Sequence, residues 1–189
     1  MFAIILFAWI LFPGCVHYDQ KVILREDGSG SMKLHYWSSM NSFTMGNTLG
    51  KLEFEELKAK DKYTSDNTEV TRFRIEDQLD DSTKHVYIEL NFKDINKLND
   101  AKGFESTRVS WNNNSNGIEL KFIVLKDTAA SKQMRSSSFN VTFEFEMPSE
   151  IISTSGTING QTVKFTYTLA DLVKDLEMTT VVKKTGRND

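Results

Sequence analysis

Alternating apolar and polar positions dominate this chain, and they predict strands with one buried face and one solvated face. The longest alternations place apolar residues at every second position of residues 86–92 and 139–147. Asp27-Gly28 and Asn159-Gly160 separate shorter alternating runs, and such dipeptides favour two-residue hairpin turns. The pattern therefore predicts about seven or eight strands that are linked by hairpins.

Three segments space their apolar residues three or four positions apart, as an amphipathic helix does: residues 47–60, 95–102 and 169–177. Asp94 stands at the N-cap position of the second segment. Thr168 and Asp171 have the spacing of a capping box at the start of the third segment. Strands and helices together predict an α+β fold, with antiparallel sheets that carry two or three helices packed on one face.

The first fourteen residues, MFAIILFAWILFPG, contain no charged side chain. A helix over residues 2–12 would be roughly 17 Å long, because a helix rises about 1.5 Å per residue. The hydrocarbon core of a bilayer is about 30 Å thick, so this run is too short to span it. Its length matches the apolar region of a signal peptide, and residues 1–14 are therefore predicted to be one.

Cys15, the only cysteine, follows this run directly. Phe12-Pro13-Gly14-Cys15 resembles the lipobox of bacterial lipoprotein precursors, in which a small residue precedes an invariant cysteine. The resemblance implies that diacylglycerol is attached to the thiol of Cys15 and that the chain is cut before it. The competing interpretation makes Cys15 an incidental apolar residue of an uncleaved helix.

Length and composition predict one folded domain, since 189 residues with 39% hydrophobic and 26% charged side chains are ordinary globular material. The polar switch after Cys15 predicts a lipidated tether over residues 15–21, a globular domain over 22–182 and a frayed tail over 183–189. The net charge of −3, with no run of Lys or Arg, argues against nucleic-acid binding. No spacing of metal ligands is found, so neither a metal nor a cofactor is expected.

Known catalytic patterns are absent from the sequence. There is no G-x-S-x-G, no H-E-x-x-H, and the glycines of residues 28–33 stand between two strands instead of opening a helix. No catalytic residue is therefore predicted. The histidines and the adjacent acidic pairs are interpreted as solvent-exposed residues: His17, His35, His85, Glu55-Glu56 and Asp80-Asp81.

Tyr36 and Trp37 are the candidate contacts for a ligand or partner. Neighbouring residues of a strand point to opposite faces, so one of these two aromatic rings can be exposed and available to a ligand or partner. The favoured interpretation, however, is burial by a covering helix.

The stretch EMPSEIISTSGTINGQTVKFTYTLADL, residues 146–172, is similar to a recurring stretch of LppM-like bacterial lipoproteins. The shared features are a strand that ends at a proline, an Asn-Gly hairpin, an apolar strand and the start of a helix. The resemblance implies an envelope-facing domain that handles lipids or glycolipids. It carries over no catalytic residue.

These observations predict a membrane-anchored, extracytoplasmic lipoprotein that acts as a non-enzymatic binding module in the cell envelope. Its expected partners are the membrane, through Cys15, and either another envelope protein or a lipid-like ligand. By resemblance, Val16 after Cys15 favours an outer membrane or the cell surface. Two alternatives stay open: a hydrolase of envelope polymers whose acid pair meets only in three dimensions, and a structural or adhesive surface protein.

Overall fold

A computed structural model describes residues 16–40, 52–126 and 140–184 of this chain. Most of these residues lie in strands, because the alternating segments pair with one another. Eleven strands are found in the described ranges: β1 (Val16–Leu24), β2 (Gly30–Ser39), β3 (Thr68–Gln78), β4 (Thr83–Phe92), β5 (Thr107–Asn113), β6 (Ile118–Val124), β7 (Asn140–Glu146), β8 (Ile151–Thr154), β9 (Thr157–Asn159), β10 (Thr162–Thr168) and β11 (Leu176–Val182).

Helices are short in the same described ranges. One α-helix, α1 (Glu56–Tyr63), and three 3-10 helices (Ile95–Asp100, Lys102–Phe104 and Leu169–Val173) connect the strands. None of the helices described here is long and apolar enough to cross a bilayer.

The strands form two sheets that share one core. The larger sheet has the order β3-β4-β2-β1-β7-β10-β9, and the smaller one has the order β5-β6-β11-β8. β1 and β7 run parallel, whereas the other neighbours are antiparallel. Phe122 of β6 and Phe145 of β7 are both buried, and their ring centroids lie 5.4 Å apart. The inner faces of the two sheets therefore pack against each other.

The predicted α+β class, with helices packed on one face, is wrong. The second layer is a four-stranded sheet, and β11 occupies a central place in it. Residues 169–177 were expected to be helical, but the helix ends at Val173 and β11 begins at Leu176. Leu176, Met178 and Val182 alternate with exposed or half-buried residues and face the core. Pairing with β6 and β8 outweighs the weak helical spacing.

The other helix predictions are confirmed in part. α1 begins at Glu56, later than expected, and residues 47–51 lie outside the described residues. The segment after Asp94 forms a 3-10 helix, and the Asp94 carboxylate accepts a hydrogen bond from the Asn96 backbone N–H at 2.9 Å. The capping box of Thr168 and Asp171 is present.

Residues 16–21, predicted to be a tether, are the first part of β1. This strand lies inside the larger sheet, hydrogen-bonded to β2 on one side and to β7 on the other. Gln20 and Val22 face the core and are buried, while Asp19 and Lys21 point to the other side of the sheet. Asp19 and Lys21 therefore belong to the solvated face of a strand, whereas the polar Gln20 belongs to its buried face.

Candidate functional site

The outer face of the seven-stranded sheet, which points away from the smaller sheet, collects the most distinctive side chains of the described chain. Strand register arranges them in three rows that cross the sheet. The first row holds Glu76, His85, Trp37 and His17. The second holds Arg74, Tyr87, His35, Asp19 and Thr142. The third holds Arg72, Glu89, Lys33, Lys21, Glu144 and Lys164.

Five rings of the first two rows stack on one another, and we call them the ring cluster: His17, His35, Trp37, His85 and Tyr87. The centroids of His17 and Trp37 are 4.4 Å apart with an interplanar angle of 6°. The centroids of His35 and Tyr87 are 4.2 Å apart at 7°. The Arg74 guanidinium lies 4.2 Å from the Tyr87 centroid and extends the stack to β3. The stack thus crosses four strands.

His35 and His85 form a hydrogen-bonded imidazole pair inside the ring cluster. The Nε2 of His35 lies 3.0 Å from the Nδ1 of His85. The Nε2 of His85 lies 2.8 Å from the Thr83 hydroxyl, which donates its own proton to the Asp81 carboxylate. The hydroxyl must therefore accept from His85 Nε2–H, which leaves His85 Nδ1 free to accept from His35. This network defines the neutral tautomer of both rings.

The environment of the pair favours uncharged imidazoles. Burial, followed by the neighbouring His85, lowers the pKa of His35, against the opposing effect of Asp19, whose carboxylate lies 3.9 Å from His35 Nδ1. Burial also lowers the pKa of His85, against Asp81 and Glu76. His85 is only 6% exposed. The expectation that these histidines are solvent-exposed is therefore wrong for His85.

A polar groove adjoins the ring cluster, and we call it the lysine groove. Its volume is about 300 Å³. Its outer-face lining consists of Asp19, Lys21, Lys33, His35, Thr142, Glu144 and Lys164. Ligand pockets of proteins start at about this size.

The lysine groove places like charges side by side. Lys21 and Lys33 stand directly opposite each other on β1 and β2, an arrangement that destabilises a sheet. Each lysine forms one long ion pair: Lys21 lies 3.9 Å from Glu146, and Lys33 lies 3.8 Å from Glu89. An acidic group placed between the two ammonium groups would relieve their repulsion.

Tyr36 and Trp37 point to opposite faces, as expected. Tyr36 is fully buried in the core, and its hydroxyl donates to the Glu53 carbonyl. Burial raises its pKa well above the ordinary value. Trp37 is half-buried on the outer face, within the ring cluster. Of the two candidates, the fold leaves Trp37 within reach of a ligand and removes Tyr36 from it.

The remaining candidate residues do not form a site. Cys15 lies outside the described residues. Glu55, the N-cap residue of α1, and Glu56, its first residue, form exposed ion pairs with Lys58 and Lys60. Asp80 and Asp81 lie in the exposed turn between β3 and β4. Within the described ranges, no group of three or more histidine, cysteine or acidic side chains is arranged to hold a metal ion.

The residues of the lysine groove were missed at the level of sequence. Their signal was present, since Asp19, Lys21, Lys33 and Glu144 occupy the polar positions of alternating segments. However, the groove forms only because β7 lies parallel to β1, and the paired residues of these two strands are 123 positions apart in the chain. No short-range pattern indicates that neighbour.

Comparisons with known proteins establish the fold. No family model matches this sequence. No curated protein matches it significantly either. Among solved structures, the chain is similar to the NMR structure of the folded domain of the LppM protein of Mycobacterium tuberculosis, at a TM-score of 0.52 and 14% identity. The alignment covers 94% of this chain and 95% of that one. The resemblance to LppM-like proteins is confirmed for the fold, while the lipobox and the anchor stay predictions.

Proposed function

We propose that this protein is a lipid-anchored, extracytoplasmic lipoprotein of a bacterial envelope, and that it acts as a non-enzymatic binding module. The lysine groove is its binding site, and the ligand is an envelope component that presents an acidic group. The observation that carries this proposal is the direct apposition of Lys21 and Lys33, whose ion pairs with Glu146 and Glu89 are long at 3.9 and 3.8 Å, in a groove of about 300 Å³.

The chemistry of the groove fits such a ligand. The ammonium groups of Lys21, Lys33 and Lys164 attract a carboxylate or phosphate, and Asp19 and Glu144 can accept hydrogen bonds from hydroxyls. Trp37 and His35 extend the surface with aromatic rings. Lys164 lies 3.3 Å from Glu144, whereas the ion pairs of Lys21 and Lys33 are longer, at 3.9 and 3.8 Å, so these two lysines are the better placed to attract the ligand.

The anchor is tested by the mass of the protein extracted from the membranes of its own host. We expect a chain that begins at Cys15 and carries acyl groups. Two or more acyl chains give a stable anchor, whereas one gives only marginal binding. An intact Met1 and an unmodified thiol would contradict the anchor.

The groove is tested by titrating the protein with an oligogalacturonate and with its methyl ester, which has no charge. We expect binding of the acid only, weakened by salt, and a loss of at least about tenfold in Lys21→Met or Lys33→Met, which is roughly 1.4 kcal/mol. Lys121→Met is the matched control, because Lys121 pairs with Glu177 on the smaller sheet. Equal binding of acid and ester would contradict the proposed groove.

One observation keeps the hydrolase as a second candidate. The lysine groove holds two carboxylates, Asp19 and Glu144, as a glycosidase site does. The same titration decides between the two functions, because a hydrolase would shorten the oligogalacturonate and a binding module would leave its mass unchanged. If cleavage occurs, Asp19→Asn and Glu144→Gln should each abolish it.

A further inference from the structure

We propose that one end of the seven-stranded sheet rests on the bilayer surface and that the ring cluster meets the lipid headgroups there. The inference depends on the proposed lipid anchor at Cys15. We call this end the anchored end: it comprises the start of β1, the end of β2, the turn at residues 79–82 and the end of β10 with the 3-10 helix that follows it.

The first argument is chain length. β1 begins at Val16, directly after the proposed attachment point. His17 is two residues from Cys15, and two residues span at most about 7 Å. Trp37 is the register partner of His17 and stacks on its ring at 4.4 Å. A lipid on Cys15 therefore holds the Trp37 ring next to the headgroups, where tryptophan and other amphipathic rings are favoured.

The second argument is that exposed apolar side chains flank the ring cluster at the same end. Leu79 is 80% exposed in the turn between β3 and β4. The Met40 backbone N–H donates to the Ser82 carbonyl at 2.7 Å, which places this turn beside the end of β2. On the other side, Val173 is 51% exposed in the 3-10 helix after β10. Such side chains gain free energy by entering the acyl boundary.

The register of β10 confirms that Val173 belongs to this end. Thr168, the last residue of β10, pairs with Asn140, the first residue of β7. β7 runs parallel to β1, so its first residue lies level with the start of β1. The helix that contains Val173 follows Thr168 directly.

Charges at the anchored end favour an uncharged bilayer. Asp80 and Asp81 lie next to Leu79 in the same turn, and Asp171 lies in the same helix as Val173. These carboxylates are exposed or half-buried and would remain hydrated among the headgroups. The contact is therefore expected to be apolar, and a zwitterionic phosphatidylcholine surface is the appropriate probe.

This orientation also determines how far the lysine groove lies from the bilayer surface. The rows that contain Asp19 and Lys21 lie progressively farther along β1 from the anchor, about 7 Å per row. The groove would thus open just above the headgroup layer. An envelope component at the membrane surface could reach it without leaving the surface.

The experiment uses the lipidated protein from its own host, reconstituted into phosphatidylcholine vesicles with or without bromine near the top of the acyl chains. Bromine quenches tryptophan fluorescence at short range. Trp111 is the internal control, because it is 6% exposed and its indole N–H donates to the Glu26 carbonyl, at the opposite end of β1. Cleavage before Cys15 removes Trp9, so in the lipidated protein Trp37→Phe isolates the Trp111 signal, and its difference from the parent protein gives the Trp37 signal.

We expect bromine to quench Trp37 at least twofold and to leave Trp111 unchanged. Leu79→Lys should reverse most of the quenching. Ile158→Lys is the matched control, since Ile158 is 51% exposed on β9, which pairs with the start of β10, away from the anchored end. Equal quenching of both tryptophans, or equal effects of the two lysine substitutions, would overturn the proposal.

Failure of the anchor and failure of the orientation are distinguishable. The mass of the preparation reports whether Cys15 carries lipid. If it does not, the thiol of Cys15, the only one in the chain, can be coupled to a maleimide phospholipid in a Trp9→Phe variant, in which only Trp37 and Trp111 fluoresce. The same quenching measurement then tests the orientation by itself.

Discussion

The two faces of the seven-stranded sheet have different roles, although the same strands form both. On the inner face, Leu34, Ile88 and Phe145 are at most 1% exposed and belong to one apolar core. On the outer face, the neighbouring residues build the ring cluster and the lysine groove. The comparison shows that, of two adjacent residues in a strand, one stabilises the fold and the other is available for binding.

The largest expected effect is a difference in unfolding free energy between substitutions at two neighbouring residues that lie on opposite faces. Phe145→Ala should lower the free energy of unfolding by about 3–5 kcal/mol, because it opens a cavity beside Phe122 and Phe165. Glu144→Ala removes only a partly exposed ion pair with Lys164 and should cost less than about 1 kcal/mol. Urea unfolding measures both values. Similar losses for the two variants would contradict the division between faces.

The effect of intermediate size is a loss of stability at acidic pH. The pKa values of His35 and His85 are lowered in the folded protein, so below the ordinary histidine pKa of about 6.5 the unfolded chain binds more protons. Stability should therefore be complete above that pH and fall as the pH decreases below it. Urea unfolding between pH 7.5 and pH 5.5 measures the slope.

A double variant provides the control for the acid effect. His35→Gln with His85→Gln removes both titrating rings and should flatten the dependence of stability on pH in this range. An unchanged slope would show that other groups cause it.

The tautomer of His85 gives a further test. Thr83→Val should switch His85 to the other neutral tautomer, because it removes the acceptor of the Nε2–H. The chemical shifts of the ring nitrogens in NMR measure this change.

The smallest expected effect is an increase in stability, opposite in sign to the preceding ones. Lys21→Met should raise the free energy of unfolding by about 0.2–1 kcal/mol, because it ends the repulsion from Lys33 and removes only a long, exposed ion pair with Glu146. The same change weakens binding of the acidic probe. Thermal unfolding of the parent and the variant, at low and high salt, checks the sign. A destabilised Lys21→Met would mean that Lys21 stabilises the sheet in the absence of a ligand.

Local patterns in the sequence determined a large part of this structure. Alternation predicted which residues of β2 and β4 face the core, since side chains of a strand point to opposite faces in turn. The Asp27-Gly28 turn joins β1 to β2 as expected, with a positive φ of 81° at Gly28. The caps at Asp94 and Thr168 also formed, because each depends on atoms at most three residues apart.

Only the tertiary structure decided the rest. β11 is a strand because β6 and β8 lie on both sides of it, although its first residues continue a helical spacing. Residues 16–21 pair with β2 through the local hairpin, and they lie inside the sheet because β7 is on their other side. The lysine groove depends on the same pairing of β1 with β7, and the His35–His85 pair depends on the pairing of β2 with β4, which joins residues 50 positions apart. Hydrophobic periodicity indicates which side of a strand is buried. It does not indicate which distant strand of the chain will be its neighbour in the sheet.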